Sequence, residues 1–279
     1  MPELPEVEVI CRGLRPHLIG HQIISLDSSG KNLRVPVPME KMAQRLAGQR
    51  ISEVKRRAKY LLIEAENRDL LIIHLGMSGT LGVFAADTIG QKHDHVIWRL
   101  DNDHELRLHD PRRFGSVQLL TPDEAKQVEK TLFKNVGPEP FSRKCSSAYL
   151  SERARSKTAG IKTFLMDGRI VAGIGNIYAN ESLFAAGIHP EQPAGTLDTA
   201  QWRKLHRLIR KILRHAINCG GSTISDFLDA SGNRGYFQMN FKVYGKAGAP
   251  CPNCSTEISK KQVGGRAAYF CPQCQPMVL

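Results

Sequence analysis

Four of the seven cysteines stand as CPNC and CPQC, at Cys251, Cys254, Cys271 and Cys274, with sixteen residues between the pairs. Two close pairs of thiolates supply the tetrahedral shell that a structural zinc ion takes, and an insert of that length suits a hairpin. Because sulfur fills all four positions, no coordination site is left for water or substrate, and such a metal organises a ribbon rather than performing hydrolysis. A pair of redox dithiols is the weaker alternative at this spacing. The odd total and the crowding at one end argue against a secreted disulfide framework. Cys11, Cys145 and Cys219 lie in apolar or mixed surroundings and read as packing residues.

Other stretches carry groups suited to a polyanion. KHDHV and HDPRRFG hold His93, His95 and His109, which could form a second metal set, but the neighbouring Lys92, Arg112 and Arg113 favour contact with phosphate. HLGMSGT sets Met77 in a glycine-flanked turn that buries it poorly. An exposed Met or Phe beside cations has the character of a wedge entering a base stack, against the plainer reading of a core residue. VAGIGNIYANE runs from glycines into a helix start, where backbone N–H groups suit a phosphate, although it is not a dinucleotide-binding GxGxxG. At the N-terminus, PELPE reads first as a helix start, with Pro5 in the opening turn and Glu6 and Glu8 near the positive end of the dipole.

These groups need a frame, and 279 residues allow two domains. Val7, Ile10, Cys11, Leu14 and Leu18 share one face of a first helix, which Pro16 is expected to end or kink early. From about residue 23 to 120, short Ile/Leu/Val-rich runs without intervening helices predict an antiparallel sandwich or barrel. YLLIEA with DLLIIHL, and HVIWRL with ELRLH, read as hairpins. TPDEAKQVEKTLF reads as helical, NVGPEPFS as a linker, and the remainder as helices. There Trp202, Leu205, Ile209, Ile212, Leu213 and Ala216 form an apolar stripe backed by Arg203, Lys204, Arg207, Arg210, Lys211 and Arg214, which reads as a core helix with a solvated basic back.

The net charge is +12, unevenly spread: residues 1–141 hold 20 Lys and Arg against 19 Asp and Glu, and residues 142–279 hold 19 against 8. A concentrated positive field is the footprint of a nucleic-acid binder. No run is apolar enough for a membrane helix and no signal peptide is recognisable, so a cytoplasmic location is expected.

In combination, MPELPEVE, RRAKYLL, HLGMSG, HDHV, DPRRFG, GIGNIYANE and the terminal ribbon resemble the bacterial formamidopyrimidine-DNA glycosylases over essentially the whole chain. The resemblance implies a bifunctional repair glycosylase that removes 8-oxoguanine and ring-opened purines from double-stranded DNA and cleaves the strand by β,δ-elimination. It implies an α+β multidomain fold: an N-terminal helix with an antiparallel β-sandwich over residues 1–134, a linker at 135–141, a helix-two-turns-helix domain at 142–240 and a zinc ribbon at 241–279; a monomer is expected because nothing in the sequence suggests more. Residue by residue, it assigns the nucleophile to Pro2 once Met1 is removed, acid/base catalysis to Glu3 with support from Glu6, β-elimination to Lys59 and δ-elimination to Arg266. DNA contacts fall on His93, Arg112, Lys157 and Asn176. Met77 and Phe114, with Arg112, fill the gap left by a flipped base, and one zinc sits on the four cysteines with no organic cofactor. SGNRGYF, residues 231–237, is the candidate to close over the extruded base.

Elementary chemistry agrees with the nucleophile. A terminal amine with a reference pKa near 8, against about 10.4 for Lys, has a neutral fraction larger by roughly two orders of magnitude at pH 7. A secondary amine passes to a cationic iminium without losing a second N–H proton. Two alternatives stay open: an endonuclease VIII-type glycosylase for oxidised pyrimidines, disfavoured by Leu4 where that group usually carries glycine, and a noncatalytic zinc-ribbon DNA-binding protein.

Overall fold

The computed structural model describes residues 2–220 and 241–277, so SGNRGYF lies outside the described residues. Residues 2–134 form one compact unit, and residues 135–219 with 241–277 form another.

The first unit opens with α1 (Leu4–Leu18), whose Val7, Ile10, Cys11, Leu14 and Leu18 are all buried. Pro16 does not end α1 early: it lies in the last turn, and α1 continues to Leu18. Proline removes one backbone donor there, while the core beneath Leu14 and Leu18 holds the turn. Next come β1 (Ile23–Ser28), α2 (Met39–Leu46), β2 (Ile51–Arg57), β3 (Tyr60–Ala65), β4 (Leu70–His74), β5 (Thr80–Ala85), β6 (Asp94–Leu100), β7 (His104–His109) and β8 (Ser116–Leu120). They make two antiparallel four-stranded sheets, ordered β1-β6-β7-β5 and β2-β3-β4-β8. One continuous core draws Leu61, Ile63 and Ile73 from one sheet, Val83, Trp98 and Leu106 from the other, and the apolar face of α1.

Both expected hairpins form, with Leu62 opposite Ile72 and Trp98 opposite Leu106. The expectation of strands without intervening helices is corrected by α2. Its signal was present: Met42 and Leu46 are buried at a spacing of four, and Met39 packs beside the same core. Helix propensity in TPDEAKQVEKTLF is realised only over α3 (Pro122–Lys126), started by a capping box between Thr121 and Glu124. Glu8 ties α1 to β2 through Arg56 at 2.9 Å and pairs with Arg12 within α1 at 2.8 Å.

The second unit holds α4 (Ser147–Ala154), α5 (Ile161–Met166), α6 (Asn176–Ala186) and α7 (Thr199–Asn218), followed by the hairpin β9 (Ser259–Val263) and β10 (Arg266–Phe270). Trp202, Leu205, Ile209, Leu213 and Ala216 of α7 are buried in its core, and Ile212 is partly buried beside them. α7 packs on α6 and α4, and α6 on β10. Among the described residues, no helix is long and apolar enough to cross a membrane.

Candidate active site and metal centre

At the N-terminus, Pro2 is half-buried and Glu3 is 1% exposed. Glu3 is the N-cap of α1 with extended backbone; its N–H donates to Glu6 Oε2 at 2.8 Å, and its carbonyl accepts from Val7 N–H at 3.1 Å. Glu6, also buried, therefore fixes the peptide that carries Glu3. Leu4 and Val7, both fully buried, anchor this turn from below. Burial raises the Glu8 pKa, but the hydrogen bonds and charges of Arg12 and Arg56 outweigh burial and hold it below the usual carboxylate range.

Lys59 sits with Ala58 in the two-residue turn between β2 and β3, where Ala58 adopts a φ of 52°. Its charge reaches His74, which lies opposite Tyr60 across the β3–β4 ladder. Burial first, then the charges of Lys59 and Arg34, push His74 down to about 4. Neutral His74 accepts the Gly76 N–H through Nδ1 at 3.1 Å, fixing the start of the HLGMSG turn. Sequence reading passed over His74, whose environment comes from a cross-strand neighbour.

Met77 and Phe114 are 38% and 45% exposed, high for such side chains, and the Arg112 guanidinium lies 4.7 Å from the Phe114 ring centroid. Their loops touch through backbone: a Cβ at Gly76, whose φ is +64°, would meet the Phe114 carbonyl carbon at 2.4 Å. Asp110, fully buried, binds both loops, accepting from Gly115 N–H at 2.7 Å and from Ser78 Oγ at 2.8 Å. The Asp in HDPRRFG looks like a turn residue in sequence, and its bridging role needs the second loop to be visible.

His93 stands half-exposed beside these loops, its ring centroid 6.1 Å from that of His95 and 5.8 Å from that of His109. The other two rings are occupied: His109 Nδ1 contacts Asp94 at 2.9 Å, and His95 contacts Ser29 Oγ at 2.8 Å and the Asp110 carbonyl at 3.1 Å. Among the described residues the only group of three or more side chains placed to hold a metal is the four cysteines.

In the second unit, Asn176 begins α6 behind the N-cap Gly175, and its Oδ1 is buried without a hydrogen-bond partner. Arg266 starts β10 and is exposed. The strand below it is pinned by Lys162, a fully buried lysine whose Nζ donates to the Arg266 carbonyl at 3.2 Å and the Ala267 carbonyl at 2.8 Å. Burial, with Arg266 nearby, lowers Lys162 to about 8. From α6, Asn180 accepts from Tyr269 N–H at 2.9 Å, and buried Glu181 accepts from the N–H groups of Lys242, Val243 and Tyr244 at 2.9, 3.0 and 2.9 Å. None of these three supports was singled out from the sequence. Lys157 is exposed in the loop after α4, and its carbonyl accepts from Gly195 N–H at 3.0 Å.

The four cysteine sulfurs lie within 4.8 Å of one another. Cys251 to Cys274 is 3.8 Å, and Cys254 lies 3.5 Å from both Cys271 and Cys274. Tetrahedral zinc with Zn–S bonds of about 2.3 Å requires sulfur separations of about 3.8 Å, so the donor set fits one structural zinc ion. Cys271 N–H and the Gln275 side chain, itself bound to the Ile188 carbonyl at 2.7 Å, tie this cluster to the end of α6.

The formamidopyrimidine-DNA glycosylase N-terminal domain matches residues 1–117, the formamidopyrimidine-DNA glycosylase H2TH domain residues 136–228, and a zinc finger found in FPG and IleRS residues 248–276. A formamidopyrimidine-DNA glycosylase of Hahella chejuensis is 46% identical over 99% of the chain and 100% of its own length. That of Magnetococcus marinus is 43% identical over 99% of both. Among solved structures, a Lactococcus lactis FPG variant complexed with Fapy-dG-containing DNA superposes with a TM-score of 0.90 at 37% identity, covering 99% of this chain and 100% of that one. A complex of Lactococcus lactis Fpg with abasic-site DNA gives 0.89 at 36% identity, over 98% and 99%.

Asp110→Ala strands the Gly115 N–H and the Ser78 hydroxyl, and is expected to cost about 1–3 kcal/mol in urea unfolding, with faster amide exchange at Gly115. For His74, the folded value near 4 lies below the ordinary 6.5, so the unfolded chain binds the extra proton between these values. The unfolding free energy of wild type minus that of His74→Gln should therefore fall as pH drops from 6.5 toward 4 and stay flat above 6.5. A flat difference across that window would show that His74 titrates normally.

Proposed function

The chain belongs to the formamidopyrimidine-DNA glycosylase family, and from that premise we propose that Pro2, made terminal by removal of Met1, is its nucleophile. The protein is a base-excision-repair enzyme, a DNA glycosylase with abasic-site lyase activity acting on oxidised purines in damaged double-stranded DNA. Buried Glu3, held through its own backbone by Glu6 next to Pro2, is the observation that carries the assignment of roles.

The Pro2 nitrogen attacks C1′ as the bond from C1′ to the base breaks, and the base departs with a proton. Glu3 protonates the sugar ring oxygen, the ring opens, and a cationic iminium joins Pro2 to C1′. Glu3, adjacent to Pro2 in the chain, is the carboxyl group that delivers a proton to the ring oxygen as a general acid. The iminium acidifies the hydrogens at C2′. Loss of one expels the 3′ phosphate, with Lys59 assisting the proton transfer, and a second elimination assisted by Arg266 expels the 5′ phosphate. Water then hydrolyses the iminium and restores the amine.

Extrusion of the damaged nucleotide costs a few kcal/mol of stacking and pairing. Met77 and Phe114 occupy the stack, with Arg112 stacked on Phe114 beside them, while His93, Lys157 and Asn176 contact the DNA backbone. Zinc on Cys251, Cys254, Cys271 and Cys274 supplies no chemistry to the reaction and holds the ribbon that presents Arg266. The catalytic domain spans 1–134, the linker 135–141, the helix-two-turns-helix domain 142–240 and the ribbon 241–279. The enzyme works as a monomer in the cytoplasm, on the nucleoid.

Borohydride trapping with abasic-site duplex tests the reading. A covalent adduct is expected from the processed wild type, strongly reduced in Pro2→Gly and abolished when Met1 is retained. Zinc-loaded protein that binds the duplex but forms no adduct would overturn it.

A further inference from the structure

α7 carries Arg203, Lys204, Arg207, Arg210, Lys211 and Arg214, and no Asp or Glu at all. Arg203, Arg207, Arg210 and Arg214 follow one another at steps of four, three and four, so they lie along one face of the helix. Like charges at these spacings repel and weaken a helix. Among the described residues none of the six is paired with a carboxylate. The face is shaped as well as charged: an open depression of about 510 Å³ is lined by His206, Arg207, Arg210, Lys211, Arg214 and His215.

Two of the cations are oriented in advance. The Arg210 and Arg214 guanidinium carbons lie 5.9 and 5.5 Å from the centroid of the Phe141 ring. That loop also carries Arg143 and Lys144, both exposed, and is tied to α7 by His206 Nε2 at 2.7 Å from the Cys145 carbonyl. A guanidinium stacked on a ring keeps its in-plane N–H groups for an oxyanion and loses less freedom on binding one. The apolar face of α7 meanwhile covers α6 and α4, and none of Lys157, Asn176 or Arg266 lines the depression.

We propose that this face is a second DNA site, which grips the phosphate backbone of a duplex segment other than the one carrying the lesion. The inference rests on the reading of the protein as an enzyme of duplex DNA. From Arg203 to Arg214 the helix rises about 16 Å, roughly five phosphate steps of one strand at 3.4 Å each. A protein partner would call for an apolar or aromatic anchor at the centre of its interface. The side chains lining the depression are cationic, imidazole or amide groups, which suit a backbone of phosphates instead. Two grips on one chain allow direct transfer from one DNA segment to another, so that a search for lesions does not require full dissociation.

Stopped-flow dissociation of the full-length, zinc-loaded protein from a short fluorescent duplex holding an abasic-site analogue tests this, with undamaged unlabelled duplex as competitor. In wild type the dissociation rate should rise linearly with competitor concentration. In the triple variant Arg203→Gln, Arg207→Gln, Lys211→Gln, which keeps both arginines on Phe141, the rate should be independent of competitor. The salt slope for the second duplex should fall by about 2.7, from three lost phosphate contacts. Borohydride trapping on the short duplex should be the same in both proteins, which separates failure of this inference from failure of the catalytic reading. A wild-type rate independent of competitor, a variant that still responds, a variant that loses trapping, or acceleration by polyglutamate but not by duplex would each overturn the proposal.

Discussion

A carboxylate removed from water must have its lone pairs filled by donors, and three buried carboxylates in this protein, Glu6, Asp110 and Glu181, accept from backbone N–H groups of turns and loops. Glu6 takes the N–H of Glu3, Asp110 takes that of Gly115 together with the Ser78 hydroxyl, and Glu181 takes three in succession from Lys242 to Tyr244. Leaving such a group unsatisfied costs more than an ordinary hydrogen bond contributes. Each carboxylate therefore fixes the backbone of a turn or loop. The turn at Glu3, the loops of Met77 and Phe114 and the chain entering the ribbon depend on this one device.

It suits a protein of this kind because its working surface must meet a polyanion. A surface of cations alone repels itself, and loops bearing Arg112, Arg113 and Lys59 cannot be held by further exposed charge. Acids placed beneath, out of solvent and committed to backbone donors, give rigidity without cancelling the positive surface. Lys162 is the reverse case: a buried ammonium committed to two carbonyls steadies the strand below Arg266. Burial lowers its pKa to about 8, a sign of how far from water it sits.

The zinc ribbon follows the same logic at smaller size. β9 and β10 alone are too few to form an independent core, and only a small cluster around Val243, Ile258 and Cys271 packs beneath them. Four sulfurs around one metal close the ribbon, while Asn180, Glu181 and Gln275 attach it to α6 and its C-terminal end. The metal is thus a matter of fold, closing the ribbon whose strand β10 begins at Arg266.

Local patterns in the chain settled a good deal. The four-cysteine spacing, the apolar face of α1, both hairpins and the buried stripe of α7 are short-range features, and each survives because periodicity and turn chemistry act over a few residues. The motifs also carried the family. Pro16 and α2 were misread for a related reason: a proline in a last turn and a two-turn helix between strands are decided by the core they press against. Tertiary structure decided which carboxylates lie buried and, for Asp110 and Glu181, what they hold, whereas the Glu6 bond to the Glu3 N–H is local to the helix start. Glu6, Asp110 and Glu181 look like ordinary acids in helix starts, turns and helices, and Lys162 like an ordinary surface lysine. Their partners are backbone groups, with the Ser78 hydroxyl added for Asp110, from three residues away for Glu6 to 105 for Lys162. A backbone N–H is the same for every residue type, so no side-chain pattern in the sequence marks where these carboxylates will find their donors.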